Sequence, residues 1–228
     1  MKRMIAVCDI LGFKELVLQN DLKNVVDRSL TFFRKALYHS MCQGDFPDDM
    51  PTIEEIKKQN RVGFSWFSDT VLIYALDDKD DDCKNVIETV GWLIFETIFR
   101  PDTKIRAGIS YGDVYIDEAK DIYLGPAIIE AFEFQGDQDW AGGALTDSAA
   151  DRVPKYVLSQ NVYDWYLTQY EVPLKNKPVK LRLAIDWTRG IHASLPFEKL
   201  TPISPDVLRK MENTKHFHDL VCTFCKGN

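Results

Sequence analysis

A short apolar run, IAVCDILGF at residues 5–13, contains the single carboxylate of Asp9, and Gly12 follows it three residues later. A second apolar stretch, FSWFSDTVLIY at residues 64–74, is interrupted in the same way by Asp69. A charge inside a buried-strand pattern is costly unless it is paired, hydrogen-bonded or bound to a metal ion. Two such carboxylates on two strands can share a divalent cation, so Asp9 and Asp69 form the first candidate site. Taken singly, Asp9 also suits a helix N-cap and Asp69 a turn.

The composition is that of an ordinary globular domain. The chain has 228 residues, 45% hydrophobic and 28% charged, which is enough for one large domain with a core. Its formal net charge of −7 argues against non-specific binding to nucleic acids or anionic membranes, because such binding needs a basic face. The sequence has no apolar stretch that suits a membrane span or a signal peptide, and its five cysteines form no even disulfide framework. We therefore expect a cytoplasmic protein with no nucleic-acid or membrane partner.

Hydrophobic periodicity predicts alternating strands and helices in the first two thirds of the chain. The predicted order is strand, helix, strand, strand, helix, strand, strand, helix. This order fits an α+β fold with a ferredoxin-like βαββαβ core. The predicted elements are a strand at 3–9, a helix at 13–43, two strands within 61–76 that turn at Ser68-Asp69, a helix at 83–99, two strands within 104–116 and a helix at 125–134.

The last third of the sequence is less regular. We divide the chain into a core at residues 1–150 and a C-terminal α/β extension at residues 151–228 that packs on the same domain. The elements predicted for the extension are a strand at 153–158, a helix at 160–170, a strand at 179–187 and two helices at 205–212 and 215–226.

Four short motifs follow one another along residues 3–150. They are DILGF at 9–13, SD at 68–69, RAGISYGDV at 106–114 and YLGPAI at 123–128. Together they resemble the catalytic domain of class III nucleotidyl cyclases. The first is similar to that family's Asp-Ile-x-Gly-Phe motif and the second to its hairpin tip. The third resembles its Arg-x-Gly-Ile…Gly-Glu-Val hairpin, and the fourth leads into the helix that carries its Val-Asn-x-Ala-x-Arg motif.

The resemblance implies a reaction and a set of site residues. Two aspartates would hold two Mg²⁺ or Mn²⁺ ions, with the carbonyl of Ile10 completing a metal shell. The ribose 3′-hydroxyl of a nucleoside triphosphate would attack the α-phosphorus, and pyrophosphate would leave. Hard oxygen ligands suit these ions, and charge neutralisation is the main demand of phosphoryl transfer. The residues implied for metal, phosphate and catalysis are Asp9, Ile10, Leu11, Gly12, Phe13, Asp69 and Arg106, with Arg61, Lys14 and Lys180 as other candidates for the phosphate and a surface role as the alternative for Arg106.

The sequence departs from the family where the family reads its base and stabilises its transition state. Ser65 stands where adenylate cyclases have Lys and guanylate cyclases Glu, and Ile122 stands where the family has Asp or Cys. The helix Asn and Arg positions are Ile129 and Glu133. This combination of a retained metal pair and a lost purine code resembles the stand-alone pyrimidine cyclases of the Pycsar antiphage systems. Ser65 and Tyr123 would then contact the base, and Trp66, Phe67 and Tyr123 would narrow its pocket, with ordinary core packing as the alternative for each of these three aromatic residues.

The resemblance to pyrimidine cyclases implies cyclic UMP made from UTP, with CTP as the alternative substrate. The product would be a second messenger for antiphage defence, read by a separate cyclic-nucleotide-binding effector. Sites in this family lie between two catalytic domains, so a homodimer with interfacial sites is implied. A purine cyclase with unusual base contacts and a catalytically inactive nucleotide-binding or dimerisation module remain open as alternatives.

Overall fold

The computed structural model describes residues 1–42, 45–100, 102–153, 167–175, 177–188 and 205–226. For residues 223–226 it describes the backbone only. The strands are β1 Lys2–Ile10, β2 Gly63–Phe67, β3 Thr70–Tyr74, β4 Ile105–Asp113, β5 Tyr115–Asp117, β6 Ile122–Leu124, β7 Gly142–Leu145, β8 Leu167–Val172 and β9 Lys180–Ile185. The helices are α1 Phe13–Gln19, α2 Leu22–Asn24, a π-helical segment Val25–Leu30, α3 Thr31–Cys42, α4 Ile53–Lys57, α5 Asp80–Ile98, α6 Pro126–Asp137, α7 Asp147–Arg152 and α8 Pro205–Lys226.

Seven of the described strands form one sheet in the order β2-β3-β1-β4-β7-β9-β8. The first four are antiparallel neighbours, while β7 runs parallel to β4. The order β2-β3-β1-β4, together with the helical segment between β1 and β2 and with α5 between β3 and β4, is the ferredoxin-like βαββαβ pattern. The predicted α+β class is therefore confirmed. After α6 the chain adds β7, β9 and β8 to the same sheet, and β5 and β6 form a separate hairpin.

Residues of β1 alternate between the two faces of the sheet, as a strand requires. On one face Ala6, Cys8 and Ile10 pack into the main core with α3 and α5. On the other face Ile5 and Val7 pack in a smaller cluster with residues of α6. Helix α6 comes close to the sheet at Gly108 of β4, where an added Cβ would lie 2.4 Å from a backbone carbonyl of α6. Asp9 follows Val7 on the α6 face.

Several predicted boundaries differ from the structure for local reasons. The helix predicted at 13–43 is interrupted at Asp21, whose side chain accepts hydrogen bonds from the amides of Lys23 and Asn24 and starts a new helix. The strands β6 and β7 and the short helix α7 were not predicted. The two helices predicted after residue 205 are one helix, α8, because Asn213 and Thr214 at the supposed break hold that helix against residues 139–141.

The extension differs from its prediction at residues 167–170. These residues belong to β8, so this end of the helix predicted at 160–170 is wrong. Pairing with β9 over six residue pairs favours the extended conformation there. The strand predicted at 179–187 is confirmed as β9. Residues 154–166, which hold most of the predicted strand at 153–158 and the rest of the predicted helix, lie outside the described part. Among the described helices, none has the length and apolar character that crossing a bilayer requires.

Candidate active site

Asp9, Thr70 and Arg106 lie opposite one another on the adjacent strands β1, β3 and β4. The Thr70 hydroxyl donates to Asp9 Oδ1 at 3.4 Å, and Arg106 Nη2 donates to Asp9 Oδ2 at 3.4 Å. Gln135 of α6 donates from Nε2 to the same Oδ2 at 3.2 Å. The N-cap of α1 is Gly12, so the explanation of Asp9 as a helix cap is wrong. Asp9 instead accepts hydrogen bonds from three different elements.

Asp69 is brought to the end of β1 by the turn between β2 and β3. Ser68 takes a left-handed conformation with φ of 57°, which closes the turn tightly. The amide of Ile10 donates to the carbonyl of Asp69 at 3.2 Å, and Trp66 Nε1 donates to the carbonyl of Ser68 at 2.6 Å. The structure thus brings together Asp9, Ile10 and Asp69, the three residues that the sequence resemblance implies as metal ligands.

The electrostatics of the pair favour a bound cation. Burial raises the pKa of Asp9 to about 6, with the nearby Asp69 as the next cause, while Arg106 and Gln135 act in the opposite direction. Two carboxylates at close range disfavour each other's ionised form unless positive charge is added. No group of three or more His, Cys, Asp or Glu side chains converges within the described residues. Two carboxylates with one backbone carbonyl fit Mg²⁺ or Mn²⁺, hard ions that prefer oxygen and, for Mg²⁺, keep several waters.

The loop after β1 is shaped by Gly12, whose φ of 75° is readily reached only by glycine. The first intrahelical bond of α1 runs from the Leu16 amide to the Gly12 carbonyl. The amide of Phe13 precedes that bond and so points out of the helix start. The amide of Leu11 differs, because it donates to the carbonyl of Lys104 at 2.8 Å. The expected phosphate contact through the Leu11 amide is therefore corrected.

Arg106 is buried, which makes the alternative of a surface cation on β4 wrong. Its Nη1 donates to the carbonyls of Gly136 at 3.3 Å and Gln138 at 2.9 Å, so the guanidinium joins the C-terminal end of α6 to Asp9. Burial lowers the pKa of Arg106, and Asp9 opposes this shift. Lys175, which no sequence motif indicated, donates from Nζ to the carbonyl of Gly136 at 2.8 Å. Burial and then the charge of Arg106 lower the pKa of Lys175, which places a second cation beside the first.

The other cations considered for the phosphate lie elsewhere or on the surface. Arg61 pairs with Glu88 on α5, and Lys180 donates to Asp147 at 2.6 Å. Lys14 is exposed in the first turn of α1. The structure thus brings Arg106 to the carboxylate pair, whereas Arg61 and Lys180 have acidic partners on other elements.

Ser65 and Tyr123 occupy the sheet face that also holds Asp9. Ser65 of β2 pairs with Leu72 of β3, which packs in the α6-side cluster. The ring of Tyr123 lies 6.0 Å from that of Tyr74, at the end of β3 away from Asp69. Tyr74 is four positions beyond Thr70, about 13 Å along the strand. Tyr123 is therefore on the same face as the carboxylates and not beside them.

The three aromatic residues expected to narrow the base pocket have different positions. Trp66 points to the opposite face of the sheet, where it packs against the main core with its ring 5.5 Å from that of Phe33. Its predicted place in the base pocket is therefore wrong, and the alternative of core packing is confirmed for Trp66. Phe67 is 83% exposed beside the turn that holds Asp69. Tyr123 is half-buried.

No family model matches the sequence, and no curated protein matches it. Solved structures do match its fold. An adenylate cyclase from Trypanosoma brucei in its monomeric state has a TM-score of 0.55 at 12% identity and covers 88% of this chain and 91% of its own. The monomeric guanylyl cyclase domain of the RhoGC fusion protein from the aquatic fungus Blastocladiella emersonii has a TM-score of 0.53 at 12% identity, covering 81% and 94%. The guanylyl cyclase Cya2 has a TM-score of 0.52 at 10% identity, covering 81% and 91%.

The chain has the class III nucleotidyl cyclase fold. On this cyclase fold, Asp9 and Asp69 lie at the end of the first strand and at the tip of the β2–β3 hairpin. The exposed side of α6 presents Ile129 and Glu133, the two positions that depart from the family's helix motif. The described cation that contacts Asp9 is Arg106 of β4, and Lys175, from the segment after β8, lies beside it at the Gly136 carbonyl.

Sequence reasoning missed two residues: Gln135, which donates to Asp9, and Lys175, which lies beside Arg106 at the Gly136 carbonyl. Gln135 had a usable signal. The buried positions of α6 are 127, 131, 134 and 135, which is helical spacing, and a polar residue in such a stripe needs a partner. Lys175 had no such signal, because its position depends on how the segment after β8 meets the end of α6.

Proposed function

We propose that this chain is a nucleotidyl cyclase, which converts a nucleoside triphosphate into a 3′,5′-cyclic nucleotide and pyrophosphate. The observation that supports this most strongly is the placement of Asp9 and Asp69. Their carboxylates meet where β1 ends, and the pKa of Asp9 is raised to about 6 by burial and by Asp69. A partly buried pair of acids at that position suits a cation-dependent phosphoryl transfer.

Asp9, Asp69 and the carbonyl of Ile10 would hold Mg²⁺ or Mn²⁺, two ions per site. When bound, these ions supply positive charge at the phosphates and at the attacking oxygen. The protein orients Asp9 through Thr70 and Gln135. The 3′-oxygen forms a bond to the α-phosphorus, the bond to the bridging oxygen breaks, pyrophosphate leaves, and the hydroxyl proton passes to solvent.

Arg106 and Lys175 are the protein cations proposed to act near the phosphates. Arg106 is fixed by two carbonyls and Asp9, so its position changes little as substrate binds. Lys175 is less buried and reaches the same Gly136 carbonyl from another segment. Around the start of α1, the amides of Gly12 and Phe13 remain candidates for phosphate oxygens. Glu133 is unsuited to this role, since it would repel the substrate.

We propose a homodimer whose sites lie between the two copies. Large apolar side chains are exposed around the proposed site, which is costly unless a partner covers them. Phe67 is 83% exposed, and Ile129 and Phe132 on α6 are each 59% exposed. A two-fold arrangement would cover these residues on both copies and close on itself.

UTP is the proposed substrate, with CTP as the alternative. Ser65 offers a small hydroxyl on the site face where purine cyclases carry a charged reader. The Tyr74–Tyr123 pair would limit the depth of the pocket, which favours a single-ring base. The product would act as a messenger read by a separate effector protein in antiphage defence.

The test incubates the full chain with each of the four nucleoside triphosphates and Mn²⁺, and identifies products by mass spectrometry. Cyclic UMP is expected from the wild-type chain and from Asp113→Asn, an exposed control. No product is expected from Asp69→Asn. Cyclic AMP or cyclic GMP as sole product would overturn the pyrimidine assignment. No product from any triphosphate, with dimer and Mn²⁺ binding demonstrated, would overturn the proposed activity and favour a binding module.

A further inference from the structure

A cavity of about 360 Å³ lies on the side of the sheet that packs against α3 and α5, opposite the α6 face that holds Asp9. Its walls are the π-helical segment with the start of α3, the loop around residue 46, and the connection from α5 to β4. The volume is within the range of small-molecule sites, roughly 300 to 1,000 Å³. The lining residues are Asp27, Arg28, Thr31, Phe32, Lys35, Phe46, Arg100, Asp102 and Thr103.

The lining is positively charged although the whole chain is acidic. Three cations, Arg28, Lys35 and Arg100, and two carboxylates, Asp27 and Asp102, line the cavity, whereas the chain has a formal net charge of −7. Lys35 Nζ also donates to the carbonyl of Asp48. The Arg28–Asp102 ion pair is long, at 3.9 Å, and the Arg28 side chain is 73% exposed. The lining therefore favours an anion, and arginine matches the oxygen geometry of phosphate in particular.

Thr103 gives a second and independent indication of a ligand. The side chain is 1% exposed, and its hydroxyl makes no hydrogen bond to any residue that the structure describes. Leaving a buried hydroxyl unpaired costs about 1–3 kcal/mol. A ligand oxygen in the cavity that Thr103 lines would satisfy it.

The aromatic part of the wall suits a flat apolar group. The rings of Phe32 and Phe46 are stacked with centroids 5.5 Å apart, and the guanidinium of Arg100 lies 4.4 Å over the ring of Phe32. The π-helical segment Val25–Leu30 forms another part of the wall, and π-helical turns are rare and occur often at functional sites.

We propose that this cavity binds a small phosphate monoester with a flat apolar group. Arg28, Lys35 and Arg100 face the phosphate, Thr103 donates its hydroxyl to a phosphate oxygen, and the Phe32–Phe46 pair contacts the flat group. The site is separate from the Asp9–Asp69 pair, and the proposal does not depend on cyclase activity. The two sites are nevertheless linked through one backbone hydrogen bond, because the carbonyl of Lys104, next to Thr103, accepts from the amide of Leu11 at 2.8 Å.

The experiment titrates the full chain with phenyl phosphate in the absence of divalent ions, by isothermal calorimetry. Amide chemical shifts in ¹H–¹⁵N spectra then locate the bound ligand. We expect saturable binding with shifts at residues 27–35 and 100–104. Arg100→Gln and Lys35→Gln should each weaken binding at least tenfold, and Thr103→Val about threefold, since one hydrogen bond is lost. Lys180→Gln, whose cation pairs with Asp147 on another element, should bind as the wild type does.

Thermal melts of each variant separate loss of ligand from loss of fold. Absence of saturable binding by the folded wild type would overturn the proposal. The proposal would also be overturned if the folded Arg100→Gln and Lys35→Gln variants bound phenyl phosphate as tightly as the wild type does. Amide shift changes confined to the residues around Asp9 and Lys175 would overturn it as well. Cyclase activity is measured separately and does not enter this comparison, so a failure here is distinguishable from a failure of the proposed function.

Discussion

Gln135 on α6 donates a hydrogen bond from Nε2 to Asp9 Oδ2 over 3.2 Å, across 126 positions of sequence. Gln135 is 3% exposed, so this contact is shielded from water. A hydrogen bond to the ionised carboxylate favours ionisation, and Gln135 accordingly acts to lower the pKa of Asp9 against the effect of burial. Helix α6 therefore orients the carboxylate that β1 supplies.

Replacing Gln135 by leucine tests this orienting role. Gln135→Leu keeps the volume and removes the donor, so we expect the pKa of Asp9 to rise and the rate of cyclic-nucleotide formation to fall about tenfold or more, as hydrogen bonds to charged groups are worth ~1.5–3 kcal/mol. The rate is measured with UTP and Mn²⁺, and the pKa by ¹³C NMR of the Asp9 carboxyl. Gln169→Leu, an exposed position on β8, is the control. An unchanged rate together with an unchanged pKa would show that the contact has no such role.

The charge of Asp69 should be visible in the titration of Asp9. In the metal-free wild type, Asp9 is expected to titrate near pH 6, because burial and Asp69 both raise its pKa. Asp69→Asn removes the second cause and leaves the burial, so the pKa of Asp9 should fall without returning fully to its ordinary value. Carboxyl ¹³C shifts against pH measure both variants, and Asp113→Asn should titrate as the wild type does. If the pKa of Asp9 were the same in Asp69→Asn as in the wild type, the proposed pairing of the two carboxylates would be contradicted.

Asp9 should destabilise the metal-free fold once it is ionised. Its pKa is raised from 3.8 to about 6 on folding, so between these values the native state binds more protons than the unfolded state and stability falls as pH rises. Above pH 6, we expect metal-free Asp9→Asn to be more stable than the wild type by about 1–3 kcal/mol, with the difference vanishing near pH 4. Urea unfolding at several pH values measures this.

The same two proteins, the wild type and Asp9→Asn, are then compared with Mn²⁺ added. Mn²⁺ should raise the melting temperature of the wild type and leave that of Asp9→Asn nearly unchanged, because a ligand stabilises only the state that binds it. Equal Mn²⁺ stabilisation of both variants would show that Asp9 does not hold the ion.

The elements that could be predicted from sequence are those whose pattern is complete within one segment. Local sequence alone predicts β1 from its run of apolar residues, the hairpin from the turn at Ser68-Asp69, and α5 from its helical periodicity. Strand β7 is not predicted in this way, because its sequence GGAL has little strand propensity and four residues show no clear period. It is extended because it pairs with β4 over residues 106–109, a contact that only the folded sheet provides.

The candidate site divides in the same way. Asp9 and Asp69 stand out because each is a charge within an apolar run. The surroundings of Asp9 depend on distances that the sequence does not state. Gln135, which donates to Asp9, comes from the end of α6, and Lys175, which lies beside Arg106, comes from the segment after β8. The same limit explains Trp66, whose place on the core side of β2 follows from strand register and not from its closeness to Asp69 in sequence.

Replacing two glycines near this site by alanine should change the stability of the protein in opposite directions. The comparison tests how closely α6 must approach the sheet. At Gly108 an added Cβ would lie 2.4 Å from the Ala131 carbonyl and 2.6 Å from the Gln135 amide, both backbone atoms of α6. Gly108→Ala must therefore push α6 outward, and we expect a loss of about 1–3 kcal/mol in unfolding free energy, as for overpacked cores.

At Gly136, within α6, an added Cβ meets nothing within 4 Å. Gly136→Ala should stabilise the protein by about 0.5–1 kcal/mol, because alanine has a higher helix propensity than glycine. Urea unfolding measures both variants, and cyclic-nucleotide formation gives a second readout. Gly108→Ala should lose activity with Gln135 displaced from Asp9, whereas Gly136→Ala should retain it because the Gly136 carbonyl still accepts from Arg106. Wild-type stability in Gly108→Ala would mean that α6 does not lie as close to β4 as the structure places it.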